Sequence, residues 1–232
     1  MEDAIGFIFF WGVWLLVPIL IDGTTVFASA FGVFIQRWRD ARSRATQPQD
    51  LPFYPFITVI LPIYNSADTL EPCLRSIVSQ TYPLDRVEVL LLNNGSRDNS
   101  FEVFNALQAE LPLHMHWHSI INQGKAWAMN AGIHLASGQY IFNVDSDVVL
   151  LPDALLETVR YLEAHPKLGA ITGAIQVLPA PQGSAASRKL LAACEFYEYL
   201  TAFLVGRQYQ SLLANLYTLS GAFSVFRREV LL

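Results

Sequence analysis

Two patterns of apolar positions divide this chain. From Ala4 to Ile21 the residues run without a charge, and after Asp22 and Gly23 the apolar character resumes from Val26 to Ile35. From Phe56 onward the pattern changes to short β-branched runs separated by amphipathic stretches of helical length. Ile57–Leu61, Val87–Leu92, His114–His118 and Tyr140–Val144 read as strands bounded by turn residues. Thr69–Gln80, Ser100–Glu110 and Lys125–Ala136 carry apolar residues at helical spacing. Pro152–Ala164 opens on Pro-Asp and then presents Leu155, Leu156, Val159 and Leu162 on one face. This alternation predicts an α/β fold, a mostly parallel sheet with helices on both faces. Ligands of such sheets gather at the carboxyl ends of the strands, so the polar residues that matter are those that follow strands.

The N-terminal stretch reads as a membrane segment. Crossing hydrocarbon takes about 20 apolar residues, which Ala4–Ile21 nearly supplies alone. A straight helix over 4–35 would be roughly 48 Å long against a core of about 30 Å, so Asp22 is expected at a kink, at an interface or in a tilted continuation. Placing Asp22 at mid-bilayer would cost about 2.5–3.5 kcal/mol. Arg37, Arg39, Arg42 and Arg44 follow the segment, while Glu2 and Asp3 precede it. The positive-inside rule puts the arginine side in the cytosol, for one span or for a hairpin of two. A signal peptide, prompted by Ala28-Ser29-Ala30, lacks its basic n-region here, and its apolar stretch would be too long. Residues 1–36 are therefore read as a transmembrane anchor of a cell-membrane protein. Residues 37–55 form a basic juxtamembrane segment and linker, with Gln47–Pro55 the linker proper, and 56–232 the folded domain.

Composition agrees with that division. Of 232 residues 53% are hydrophobic and 15% charged, too apolar for an ordinary soluble domain, so that either a membrane segment is present or the core is very large. A net charge of −5 offers no basic footprint, so no nucleic-acid partner is expected. Cys73 and Cys194 lie far apart, without metal-type spacing or a disulfide framework, and both read as reduced core thiols.

The residues after the strands carry the candidate chemistry. Leu61-Pro62-Ile63-Tyr64-Asn65 ends the first strand: Pro62 is expected to end regular pairing, and Tyr64 offers a ring with a polar tip that suits a base or ribose. Asn122-Gln123-Gly124-Lys125 opens a helix, where a glycine permits close backbone approach and a lysine could meet a phosphate or base. Tyr140–Val144 leads into Asp145-Ser146-Asp147, and carboxylates two apart in extended chain face the same way. Such a pair can hold a hard divalent ion that grips a diphosphate. Taken singly each feature is weak: one Asp-x-Asp is expected by chance, and Lys125 or Tyr64 alone would read as surface or packing. His114, His116 and His118 alternate along a strand; with no Cys or carboxylate nearby they read as one exposed face rather than a zinc site.

Their order is more specific. Ile57-Thr58-Val59-Ile60-Leu61-Pro62-Ile63-Tyr64-Asn65, then Leu74–Pro83, Asn94-Gly95-Ser96-Arg97-Asp98-Asn99-Ser100, Gly124–Gly132 and Asp145-Ser146-Asp147 together closely resemble the blocks of family 2 glycosyltransferases, over residues 57 to about 231. The resemblance implies a GT-A fold that binds a nucleoside diphosphate sugar with Mg²⁺ or Mn²⁺ and inverts the anomeric carbon. It places the nucleotide sugar on Pro62, Tyr64, Asn65, Asn93, Asn94, Lys125, Asp145 and Asp147. Within that set, Asp145 would reach sugar and ribose, and Asp147, with Asp145 beside it, would carry the metal. The implied acceptor is a saccharide or lipid-linked molecule. The apolar, aromatic segment 185–214, with Glu198-Tyr199, resembles polymer-making members such as hyaluronan, chitin and poly-N-acetylglucosamine synthases, and more distantly an exosortase-associated bacterial branch. There it lies on the membrane as an amphipathic helix; from its residues alone it reads as a buried helix.

Two departures stand out. The family usually shows an Asp pair before Gly-Ser, and here the pair is Asn93-Asn94. An Asn oxygen can accept from the N3–H of uracil, though a flipped amide could donate instead, so uridine stays favoured, with less discrimination than a carboxylate gives. Ser220–Leu231 resembles the block that precedes the family's Glu-Asp base, so the general base is expected beyond Leu232 and the 56–232 domain is read as C-terminally incomplete. The competing reading is a non-catalytic module that docks a nucleotide or partner. A nucleotidyl-transferring enzyme is disfavoured, because Pro62-Ile63-Tyr64-Asn65 stands where its Gly-rich loop should be.

Overall fold

The computed structural model describes residues 2–44, 51–121, 124–179, 183, 185–207, 210–211 and 216–232. Asn122, Gln123 and the start of the Gln47–Pro55 linker lie outside the described residues. The chain divides into two compact units, Met1–Pro48 with Ala174–Thr218, and Gln49–Gly173 with Leu219–Leu232.

In the first unit, α1 (Glu2–Arg44) is one helix of 43 residues that continues through Asp22. Phe10–Ile35 is long and apolar enough to cross a membrane by length and composition, at a mean hydropathy of 1.7. Arg37, Arg39, Arg42 and Arg44 fall in its last turns. The same unit holds α6 (Ala186–Tyr199), which continues as a π-helix over Leu200–Arg207. None of the α6 residues is buried, so the buried-helix reading of this segment is corrected. Cys194 on α6 is exposed, not a core thiol: its apolar neighbours Leu190, Leu191 and Tyr197 are themselves exposed.

The second unit is built on a six-stranded sheet in the order β3-β2-β1-β4-β6-β5. Its strands are β1 (Ile57–Ile63), β2 (Val87–Asn93), β3 (His114–Ser119), β4 (Tyr140–Val144), β5 (Ala170–Thr172) and β6 (Phe223–Arg227). The first four run parallel, while β6 is antiparallel to β4 and β5 antiparallel to β6. The helices between them are α2 (Ala67–Val78), α3 (Ser100–Glu110), α4 (Lys125–Leu135) and α5 (Ala154–Ala164). The apolar runs Val59–Ile63 of β1 and Val89–Leu92 of β2 are explained by burial on both faces. Ile60, Leu90, Leu92 and Ile141 pack with Ala128 and Ala136 under α4. The alternate residues Val59, Leu61, Val89 and Leu91 are buried as well and face the other way. Trp117, paired with Leu91, meets Phe101 and Phe104 there, which puts α3 on that side.

Pro62 does not end the strand as expected: it lies inside β1, opposite Leu92. In a parallel strand the N–H and C=O of a residue point to the same neighbour. Ile63 offers its carbonyl towards β2, where Asn94 N–H takes it at 2.8 Å, so Pro62 points towards β4. Pairing with β4 has already stopped at Ile60, so the missing proline N–H leaves nothing unpaired.

The histidines lie on the α4 side of the edge strand β3, His114 and His116 exposed and His118 half-buried. A carboxylate is nearby after all, since Glu88 of β2 stands opposite His114. It is committed elsewhere. Glu88 accepts from the Thr58 hydroxyl, from Ser137 N–H at 2.7 Å and from the Ser137 hydroxyl at 2.6 Å. Its partial burial would raise its pKa, but these bonds and the His116 charge outweigh that and hold it below the ordinary 4.5.

Candidate functional site

Strands β1 to β3 step outwards in one direction, and the chain then returns to place β4 on the other side of β1. That reversal leaves a crevice beyond the carboxyl ends of β1 and β4. A cleft of 340 Å³ lies there, lined by Pro62, Ile63, Tyr64, Asn65, Ser66, Thr69, Asn94, Lys125, Asp145, Ser146 and Asp147. Of the sequence-predicted residues, only Asn93 is outside this lining.

The floor of the cleft is a turn fixed by serine hydroxyls. Asn65 has a positive φ of 50°, a conformation that asparagine tolerates better than most residues. Its Oδ1 accepts from Arg97 N–H at 2.9 Å, and its own N–H donates to Ser96 Oγ at 3.1 Å. Ser66 Oγ and Ser146 Oγ share a hydrogen bond of 2.7 Å, tying the end of β1 to the acidic turn. Asp98 accepts from Ala67 N–H at the start of α2 and from Ser100 N–H at the start of α3, at 2.9 and 3.2 Å. Burial works against its charge, yet these donors and the Ser100 hydroxyl hold its pKa below the ordinary 3.8. Sequence reasoning passed over Ser66, Ser146, Asp98 and Ser100. All are short polar residues at helix starts or turns, which is the signal that could have found them.

Two amide side chains complete the turn. Asn93 Oδ1 accepts from Ser96 N–H at 2.9 Å, closing the loop after β2. Asn94 Oδ1 accepts from Gly124 N–H at 2.5 Å, across thirty residues of chain, and so holds the start of α4. Gly124 has φ 134°, a backbone conformation that disfavours any side chain, and it turns Lys125 inwards. Lys125 Nζ then donates to Asp145 Oδ1 at 2.5 Å and to the Gly221 carbonyl at 3.4 Å.

Asp145 and Asp147 share the cleft by a different geometry from strand alternation. β4 ends at Val144, and Asp145-Ser146-Asp147 form a turn closed by Val148 N–H donating to the Asp145 carbonyl at 3.1 Å. Ser146 turns inwards to Ser66, Asp145 is half-buried, and Asp147 is exposed. Cys73 lies beneath, its thiol 3.8 Å from the Asp145 carbonyl. Burial pushes that thiol up to about 12, and the charges of Asp147 and Asp145 add to the effect. Tyr64 leaves its ring exposed at the rim, free to lie against a planar group.

The model of the family described as "Glycosyl transferase family 2" matches residues 58–232. The chain belongs to that family. Among its family 2 relatives, the poly-β-1,6-N-acetyl-D-glucosamine synthase of Staphylococcus epidermidis is 30% identical over 181 residues, covering 75% of this chain and 40% of the relative. The Staphylococcus aureus protein of the same name is 28% identical over 173 residues, with the same coverage. This chain thus spans 40% of the length of those synthases. Among solved structures, a mannosyltransferase from Pyrobaculum calidifontis, in complex with GDP-Man and Mn²⁺, matches with a TM-score of 0.60 and 26% identity, over 88% of this chain and 54% of that one. S. aureus TarS 1–349 shares the fold at a TM-score of 0.52 and 18% identity, over 75% of this chain and 48% of that one. The sheet with its antiparallel β6 is accordingly the GT-A-like arrangement that the sequence resemblance implied.

Proposed function

We propose that this chain is the donor-binding part of an inverting, metal-dependent glycosyltransferase. It would move a sugar from a nucleoside diphosphate sugar to a saccharide or lipid-linked acceptor in the making of a cell-surface polysaccharide. The observation that carries this reading is the convergence of Tyr64, Asn94, Lys125, Asp145 and Asp147 from separate strand ends into one cleft at the point where the sheet reverses. The GDP-Man and Mn²⁺ of the Pyrobaculum mannosyltransferase and the names of the synthase relatives support it.

The residues present fit a hard divalent ion. Mg²⁺ and Mn²⁺ take oxygen ligands, commonly one or two carboxylates together with substrate phosphates and water. Asp147 is exposed at the cleft and forms no ion pair among the described residues, while the Asp145 carboxylate is shared with Lys125. Asp147 is thus the principal metal ligand and Asp145 a secondary one. Bound there, the ion would neutralise charge on the departing diphosphate. Asp145 accepts hydrogen bonds from ribose and sugar hydroxyls, Lys125 steadies that carboxylate, and the Tyr64 ring flanks the base. An acceptor hydroxyl attacking opposite the diphosphate inverts the anomeric carbon. Its proton goes to a general base, the step that an inverting displacement needs.

The experiment is calorimetric titration of UDP and CDP into the full chain in detergent, with Mn²⁺ and then with a chelator. Binding should depend on the metal, and Asp147→Ala should lose the metal-dependent part. Equal affinity with and without chelator would count against the assignment. We place the second unit on the cytosolic side of the membrane, because the arginines at the end of α1 precede it. Cleavage of that unit by protease added outside intact cells would refute the placement.

A further inference from the structure

Asparagine has one acceptor end and one donor end, and the structure shows which end of Asn94 is committed. The group facing its Oδ1 at 2.5 Å is the N–H of Gly124, which can only donate. The oxygen must therefore be the end turned to the start of α4, and the amide NH₂ is the end that remains. Asn94 lines the cleft, whereas Gly124 does not. Asn93 offers no substitute acceptor, since it does not line the cleft and its Oδ1 is held by Ser96 N–H. An aspartate at position 94 would behave differently. One oxygen would keep Gly124, and the other would face the cleft as an acceptor.

We propose that Asn94 donates a hydrogen bond to the nucleobase, so that the site accepts cytosine at least as readily as uracil. This rests on reading the cleft as a nucleoside diphosphate site. The ring nitrogen N3 is a donor in uracil and an acceptor in cytosine. The free NH₂ of Asn94 matches cytosine N3 directly, and it meets uracil only through a carbonyl oxygen. A carboxylate in its place would match uracil N3–H and oppose the cytosine lone pair. Asn94 is thus a specificity-determining residue, and an Asn where an Asp could stand relaxes or reverses a preference for uridine nucleotides. It takes the donor alternative that the sequence left open, in place of the Asn94 oxygen accepting from N3–H.

The test compares UDP, CDP and GDP by calorimetry with Mn²⁺, on the full chain in detergent, for the parent and for Asn94→Asp. The parent should bind CDP within about fivefold of UDP or more tightly, and Asn94→Asp should move the ratio towards UDP by about tenfold, the effect of exchanging a matched hydrogen bond for a mismatched one. A parent that prefers UDP by more than that fivefold margin would overturn the proposal, because Oδ1 would then be accepting twice. So would an Asn94→Asp variant whose UDP-to-CDP ratio is unchanged. The variant keeps an acceptor for Gly124 N–H, so a melting temperature equal to the parent's shows that the comparison is between folded proteins. If it does not fold, the parent's own ratio still decides. Failure of UDP, CDP and GDP alike to bind would sink the donor-site reading itself, whereas binding of GDP alone, or of UDP with a strong preference, would overturn only the proposal.

Discussion

Replacing Asp145 by Asn separates the structural role of the Lys125–Asp145 pair from its proposed role towards the donor. The pair is close, at 2.5 Å, but Lys125 is 50% and Asp145 28% exposed. A pair so open to water contributes about 0–1 kcal/mol to stability. The backbone bonds of the turn do not depend on the carboxylate: Asp145 N–H still donates to the Ala222 carbonyl, and Val148 N–H to that of Asp145, both at 3.1 Å. Asp145→Asn should therefore lower the melting temperature by no more than about 4 °C. Donor binding should respond more strongly. A hydrogen bond to a charged group is worth about 1.5–3 kcal/mol, or roughly ten- to hundredfold in affinity. Thermal unfolding and calorimetric titration of nucleoside diphosphate with Mn²⁺ can be run on the same preparation. Affinity within about threefold of the parent, with the melt intact, would mean that Asp145 does not reach the ligand. A large fall in melting temperature would mean instead that the pair holds the fold, contrary to its exposure.

Two further predictions concern the scaffold that aligns β1 with β4. A Cβ at Gly138 would lie 2.4 Å from Thr58 N and 2.7 Å from the Ile57 carbonyl carbon, backbone that a central strand cannot move, so Gly138→Ala should cost about 3 kcal/mol or more; a thermal or urea melt showing a loss below about 1 kcal/mol would contradict it. Because Glu88 is held below its ordinary 4.5, its contribution is fully present above that value and is lost as pH falls through the lower folded value. Urea midpoints from pH 7 to pH 3 should fall less steeply on the acid side for Glu88→Gln than for the parent, and parallel curves would show that Glu88 does not contribute.

The chain order alone carried the alternation of strands and helices, the long apolar segment with its arginines, and the strand ends bearing Tyr64 and Asp145-Ser146-Asp147. Each of these depends on periodicity or punctuation within about ten residues, and such features survive without knowledge of the fold. The predicted span of α3 coincides with the observed Ser100–Glu110, and α4 and α5 differ at their ends by no more than two residues. Distant partners decided the rest. Pro62 stays within β1 because β4 pairs only as far as Ile60. The antiparallel β6 takes its place from hydrogen bonds to β4, about eighty residues earlier in the chain. Asn65, Asn93 and Asn94 read as polar residues available to a ligand, yet each oxygen accepts a backbone N–H. For Asn65 and Asn94 that N–H belongs to a distant segment. Which end of an amide faces a cleft depends on the group that reaches its other end, and only the folded chain brings Gly124 to Asn94.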